Sequence, residues 1–289
     1  MSYYKLNKAY NDNILSFKEN FKPTLYVFPL CGLANQLMVM FSGIVYSKNN
    51  NMNYIIIPTP YSSFNCYFTD LFNNPEINYQ KNSDGIKNLN LQLYTNQKQP
   101  HIKNFGKKYS EYNIKDIKDI KSFDKDIGII ACIKFVNENN ILHLYKTLKP
   151  SQHVLNQINS FYKEGNNVGI HIRHTDTDYI KYTEDEIVNI ITKIYNKYKN
   201  NHSFLICGDN QSIKDRIINI MDKSKVFYQK TNLTSEINKM SKDRKHLNGM
   251  ITATADLFAL SYCKFLWGSN NSSSFFKTAL LMGNAVEIN

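Results

Sequence analysis

Between Gly169 and Ile180 the chain reads GIHIRHTDTDYI, an apolar run that turns abruptly into His171, Arg173, His174, Asp176 and Asp178. A guanidinium offers its N–H donors in a planar fork and can hold two phosphate oxygens at once. Arg173 is therefore a candidate clamp for a phosphorylated ligand. His171 precedes it by two positions, on the same side of an extended strand, and Gly169 leaves space beside them. The same residues also allow a structural reading, in which Arg173 pairs with Asp176 and braces the turn. Two further stretches have the make-up of anion sites. KFLWGSNNSSSFFKTALLMG is a strand, a loop of Gly, Asn and Ser, and a helix with Ser272, Ser273 and Ser274 in its first turn. Backbone N–H groups and hydroxyls at a helix N-terminus suit a diphosphate, although a serine N-cap explains such a run equally well. CGLANQ follows the first apolar strand and carries Gly32 at a turn where a backbone must come close to something.

Other chemistries lack their motifs. The chain has no GxGxxG, GxxxxGK, HExxH, GxSxG or EF-hand pattern, which removes support for P-loop, zincin, hydrolase-elbow and calcium readings. Five cysteines, Cys31, Cys66, Cys132, Cys207 and Cys263, are widely spaced and form no CxxC pair. They read as reduced thiols in a reducing compartment, not as a disulfide frame or zinc site. The segment Asp176 to Asp178, DTD, is the one literal match to a metal-binding acidic pair. It follows the histidine–arginine stretch directly.

The elements that must position these residues are legible in the hydrophobic pattern. A chain of 289 residues with 42% hydrophobic residues suits one large domain or two medium ones, globular and soluble. The second half alternates regularly: VGIHI, a helix EDEIVNIITKIYNKY capped by Thr183, SFLICGD, the helix QSIKDRIINIMDK, KVFY, the helix ATADLFALSYC, KFLWGS, SSFFKTALLMG and AVEI. Strand and helix in succession imply a parallel sheet with crossovers. The first half repeats the theme with TLYVFPL, ANQLMVMFSGIVYSK and NYIIIP. A polar middle, residues 73–126, reads as loops and short helices. The expected fold is thus α/β, two Rossmann-like domains over residues 1–150 and 151–289, with a ligand in the cleft at the carboxyl ends of the strands.

The net charge of +11 suits an anionic partner without choosing one. Lysines are spread among acids on helical faces, as in KDIKDIKSFDKDIG, which argues against nucleic acid. The longest apolar stretch is interrupted by Pro29, Gly32, Asn35 and Gln36, so no transmembrane segment is expected, and MSYYKLNKAYNDN lacks the apolar core of a signal peptide. A cytoplasmic location follows as the expectation.

Three segments, in order and in register, resemble one family. CGLANQLMVMFSGIVYSKNN is similar to the GGLGNQLFQYAxAxxLA opening of α1,2-fucosyltransferases. GIHIRHTDTDY resembles their HIRRGDY and the HxRRTD of the related α1,6- and protein O-fucosyltransferases. DLFALSYCKFLWGSNNSSSFFKTALLMG resembles their DLxLMSxCxxxIxxNSxFSWWxAxL. The resemblance implies a GT-B fold, GDP-fucose as donor substrate with no separate cofactor, a glycan acceptor (a galactoside in α1,2 linkage) and metal-independent inverting transfer. It also places roles on residues. Arg173 would hold the β-phosphate and stabilise the leaving GDP. His171 would line the same pocket, and Asp176 is one candidate general base. Asp209 and Asp256, the latter at the head of its helix, would face guanine and ribose, with a helix cap or turn as the alternative for each and the favoured one for Asp209. Ser272 and Ser273 would hold phosphate oxygens. Gly32 and Asn35 would approach the fucose and diphosphate from the other domain. The chain departs from the pattern at His174, where many relatives carry a second arginine, at Ala34, and at Phe275 and Phe276. Transfer from another GDP-sugar and a glycan-binding relative without turnover are the alternatives.

Overall fold

The protein is described by a computed structural model over residues 22–57, 66–80, 91–96, 115–174, 181–229 and 247–288. Its elements form two five-stranded parallel sheets. The first sheet takes all its strands from the first half: β1 (Thr24–Pro29), β2 (Asn53–Ile56), β3 (Gln92–Thr95), β4 (Lys115–Asp116) and β5 (Ile127–Ala131), in the order β2-β1-β5-β3-β4. The second contains β6 (Asn167–Ile172), β7 (Ser203–Gly208), β8 (Val226–Tyr228), β9 (Phe265–Gly268) and β10 (Val286–Glu287), in the order β10-β9-β6-β7-β8. The α/β class expected from alternating strands and helices is present.

The helices, in chain order, are α1 (Leu33–Asn49), α2 (Phe68–Leu71), α3 (Leu142–Tyr145), α4 (Gln152–Phe161), α5 (Glu184–Tyr198), α6 (Gln211–Ile220), α7 (Leu247–Ser261) and α8 (Ser274–Met282). Helix α5 starts where a capping box dictates. The Thr183 hydroxyl accepts the Glu186 N–H at 3.3 Å, and the Glu186 carboxylate accepts the Thr183 N–H at 2.8 Å. Its Ile187, Ile191 and Ile194 lie on one face and pack with Ile213 and Ile217 of α6 against Val168, Ile170 and Phe204 of the sheet.

Helix α7 behaves differently. Every residue from Thr254 to Ser261 is buried, as suits a helix that is apolar nearly all round. It covers the opposite face of the second sheet and also meets α2 and α4. One contiguous core runs from Leu205 and Leu266 through Leu257 and Phe258 of α7 to Leu25, Val27 and Ile129 of the first sheet. Phe72 and Phe258 face each other across this boundary with ring centroids 6.0 Å apart.

Three expectations are corrected here. The polar middle supplies two parallel strands, β3 and β4, to the first sheet; their pairing with β5 and with each other is a tertiary constraint that weak local periodicity does not display. Gly169 leaves no open space: a Cβ there would lie 2.4 Å from Leu266 Cδ2 and 3.0 Å from Cys263 Sγ, so the glycine serves the close packing of α7 on β6. Helix α7 also begins well before the predicted start at Ala253, which leaves Asp256 inside the helix and not at its head. Among the described residues, no helix is long and apolar enough to cross a membrane.

Candidate functional site

The carboxyl ends of β6, β7 and β9 lie side by side because the strands are parallel and in register, with His171 opposite Cys207 on one neighbour and Gly268 on the other. The residues just past those ends, Arg173, Asp209 and Ser269, therefore converge. The Ser269 hydroxyl accepts the Arg173 N–H at 2.8 Å and donates to the Arg173 carbonyl at 3.3 Å. Asp209 accepts the His174 N–H through Oδ1 at 2.9 Å and lies 3.1 Å from Arg173 Nη1 through Oδ2. The side chain of His174 sits 3.5 Å from the Asn210 amide. Asp176 and Asp178, and with them the expected Arg173–Asp176 pair, lie outside the described residues, and Asp209 is a partner of Arg173 within them. It does not cap α6, because Asn210 does so, its Oδ1 accepting the Ile213 N–H at 3.0 Å.

His171 is buried on the α7–α8 side of the sheet. Its ring stacks on Phe275 at 5.2 Å and 17°, with Phe276 behind at 6.3 Å. Its Nδ1 is buried with no hydrogen-bond partner among the described residues. Burial pushes its pKa down to about 4, against the opposing pull of Asp209 and with a smaller contribution from Arg173, so the ring is neutral at pH 7. Such an imidazole can accept or donate one hydrogen bond without adding charge.

The loop after β9 leads directly to the N-terminus of α8. Asn270 closes it, its side-chain oxygen accepting the Ser272 N–H at 2.9 Å and its carbonyl the Ser273 N–H at 3.0 Å. The helix starts at Ser274, so Ser272 and Ser273 precede it and do not lie in its first turn. Ser273 occupies the N-cap position, yet its hydroxyl makes no capping bond. The ordinary serine-cap reading is therefore not what the structure presents.

Asp256 belongs to a buried network. Its carboxylate accepts from the Gln229 amide at 2.6 Å and from the Cys207 thiol, and the Lys214 ammonium is close enough to favour its charge. Lys214, fully buried, donates to the Gln229 carbonyl at 2.7 Å, and Gln157 of α4 donates to the Gln229 side chain at 2.6 Å. Burial pushes the Asp256 pKa up to about 6 and the Lys214 pKa down.

On the other sheet, the β1–α1 loop carries Gly32, and Asn35 follows just inside α1. The loop's tight bend is made by Cys31, which holds φ at 73°, whereas Gly32 has an ordinary φ of −77° and serves as the N-cap of α1. Among the described residues, nothing lies within 4 Å of where a Gly32 Cβ would be. Asn35 is half-buried in the first turn of α1, and Gln36 fixes the loop by donating to the Cys31 carbonyl at 2.9 Å. The Cys31 thiol is hydrogen-bonded to that of Cys132, just past the end of β5.

Ser269, Gln36, Lys214 and Gln229 were not singled out from the sequence. Ser269 was reachable by counting along the parallel register from His171. Lys214 had a signal too, since it interrupts the apolar spacing of Ile213, Ile217 and Ile218. Gln36 stands at the glutamine of the GGLGNQL pattern that CGLANQL resembles, whereas Gln229 had no signal, because its partners come from distant segments.

No family model and no curated protein matches the chain. Solved structures do. A NodZ α-1,6-fucosyltransferase soaked with GDP-fucose superposes with a TM-score of 0.60 at 14% identity, over 91% of this chain and 93% of that one. The Arabidopsis thaliana FUT1 mutant in complex with GDP gives 0.57 at 13% identity, over 92% of this chain and 70% of that one. POFUT1 in complex with GDP gives 0.57 at 11% identity, over 91% and 96%. At such identities the likeness establishes a shared α/β fold that spans nearly the whole chain.

Proposed function

We propose that the protein is a glycosyltransferase of the fucosyltransferase superfamily that transfers fucose from GDP-fucose to a sugar hydroxyl, with a galactoside in α1,2 linkage as the acceptor that the sequence motifs favour. The observation that carries this reading is the convergence of Arg173, neutral His171 and the uncapped N-terminus of α8 at one end of a parallel sheet, in a fold shared with proteins solved bound to GDP or GDP-fucose. The architecture is GT-B, with residues 1–150 as the acceptor-side unit and residues 151–289 holding the nucleotide.

In this reading Arg173 meets the β-phosphate and Ser272 and Ser273 its oxygens, while His171 lines the pocket. Asp256 exchanges its bond from Gln229 for guanine N1 and N2, two parallel donors that adenine does not offer. Gly32 and Asn35 reach the fucose side from the first sheet, where no described residue lies within 4 Å of a Gly32 Cβ. The acceptor hydroxyl attacks the anomeric carbon, the bond to the β-phosphate oxygen breaks with inversion, and the charge gathering on GDP is met by a guanidinium and helix N–H groups. That provision replaces a divalent cation. Asp176 is the proposed acceptor of the hydroxyl proton.

The test is GDP release from GDP-fucose with a panel of galactosides, in EDTA, alongside thermal shifts with GDP, UDP, ADP and their sugars. Saturating GDP at about 100 times its dissociation constant is expected to add roughly 2.7 kcal/mol, several degrees in Tm. Stabilisation by UDP or ADP alone would overturn the reading. Turnover that needs added Mn²⁺ would overturn its metal-free part. GDP binding without release would favour a glycan-binding relative.

A further inference from the structure

Asp209 stands at the centre of the polar cluster in a way that nucleotide recognition does not explain. One of its oxygens accepts the His174 N–H, the other lies against Arg173 Nη1, and its own N–H donates to the Ile172 carbonyl at 3.2 Å. It therefore grips the guanidinium and the backbone on either side of Arg173. Ser269 holds the same residue's N–H and carbonyl from the opposite strand. The pair is no ordinary surface bridge, since the side chains of Arg173 and Asp209 are 27% and 11% exposed.

A carboxylate this close to an arginine weakens that arginine's attraction for an anion, so affinity for a diphosphate cannot be what it supplies. Orientation can. A long arginine side chain has several rotatable bonds, and a fixed carboxylate narrows them to the attitudes that keep this contact. Capping is excluded as the role, because Asn210 caps the following helix.

Resting on the donor reading given above, we propose that Asp209 is a positioning residue: it aims Arg173 at the diphosphate and acts on the transfer step through that arginine, without touching guanine or ribose. No bond to the substrate is made or broken by Asp209. Its contribution is realised in the transition state, where the β-phosphate gains charge and the placement of the donor matters most.

The experiment uses the full chain with Asp209→Asn, Ser269→Ala and Arg173→Lys, plus the Asp209→Asn/Arg173→Lys double variant. GDP affinity is measured by calorimetry, and turnover at saturating GDP-fucose is measured per folded molecule. Asp209→Asn keeps shape and an acceptor for His174. It is expected to lower kcat roughly 10- to 100-fold while GDP binds as well as before, or better for the lost negative charge. In the Arg173→Lys background the same change should alter kcat by less than about two-fold, because the arginine it serves is gone. Ser269→Ala, which loosens Arg173 from the other side, should show the same split between kcat and GDP affinity. GDP binding that weakens as much as kcat falls would overturn the proposal in favour of direct nucleotide contact. Full additivity in the double variant would overturn it too, as would a lower Tm with normal turnover. A wild-type chain that neither binds GDP nor consumes GDP-fucose overturns the donor reading as well. Wild-type turnover with unaffected variants overturns this inference alone.

Discussion

The carboxyl ends of the two sheets are built on opposite plans. At the second sheet, three strand tips are tied together by charged and polar bonds around Arg173, and a buried network of Asp256, Lys214 and Gln229 lies behind them. At the first, the corresponding loop has no ion pair among its described residues. It holds a strained cysteine, a thiol–thiol hydrogen bond, one glutamine brace and no described neighbour within 4 Å of a Gly32 Cβ. Fixed dipoles and charges stabilise developing charge without reorganising, whereas an open, uncharged rim can accept varied neutral partners. The contrast places the fixed charges and polar ties at the second sheet, and few of either among the described residues of the first loop.

The largest expected effect tests the charged end. Arg173→Lys keeps the positive charge and loses the fork, and is expected to lower kcat about 10²- to 10³-fold with little change in Tm. A lysine variant with unchanged kcat on saturating donor would remove the distinction between the two ends.

A smaller effect is readable in stability against pH. Below about pH 6.5 the unfolded chain protonates His171, while the folded chain does not until about pH 4. The stability contributed by the neutral ring is therefore present above 6.5 and lost as pH falls toward 4, at about 1.4 kcal/mol per pH unit. Asp256, raised to about 6, runs the other way, since the folded chain takes up its proton first and gains stability as pH falls from 6 toward the ordinary carboxyl value. The two slopes offset each other in the wild type. Denaturant titrations of wild type and His171→Phe across pH 4–7 isolate the histidine part as their difference. A difference that does not vary with pH would mean that the ring is not held neutral.

The smallest effect belongs to the other sheet. Cys31 holds a left-handed conformation that costs a residue with a Cβ about 1 kcal/mol, and it stands where the resembled motif carries glycine. Cys31→Gly relieves that strain but gives up the thiol bond to Cys132 and loosens the unfolded chain, so stability is expected to change by less than about 0.5 kcal/mol and GDP affinity not at all. Calorimetric melting and GDP titration check both parts.

Much of the second half could be read from the sequence because its signals are local. Thr183 and Glu186 mark the start of α5, and β-branched runs bounded by turns mark β6, β7 and β9. The first half was harder. IGIIA, residues 127–131, is a central strand buried on both faces but lies beyond a polar stretch that masked it. Motif spacing pointed to Arg173 and the serine loop, and the parallel register then brought them together. The partners of those residues were hidden, since Arg173–Asp209 and Asp256–Gln229 join segments whose proximity only the folded sheet creates. Asp209 and Asp256 looked alike in sequence, yet one sits at a strand tip and the other inside a helix.

The seam between the halves has its own consequence for anyone exchanging parts between relatives. Residue 150 looks like a natural crossover point, but the Ser151 hydroxyl and N–H donate back to the Asp70 and Leu71 carbonyls at 2.6 and 2.9 Å. Just beyond, α4 packs on α7, and Phe72 meets Phe258. A chimera joined at that point would set one parent's α2 against the other's α4 and α7, mismatching side chains in a single shared interior. Hybrids that carry residues 66–80 together with the C-terminal half are the ones expected to stay soluble, so the unit of inheritance is set by packing and is discontinuous along the chain.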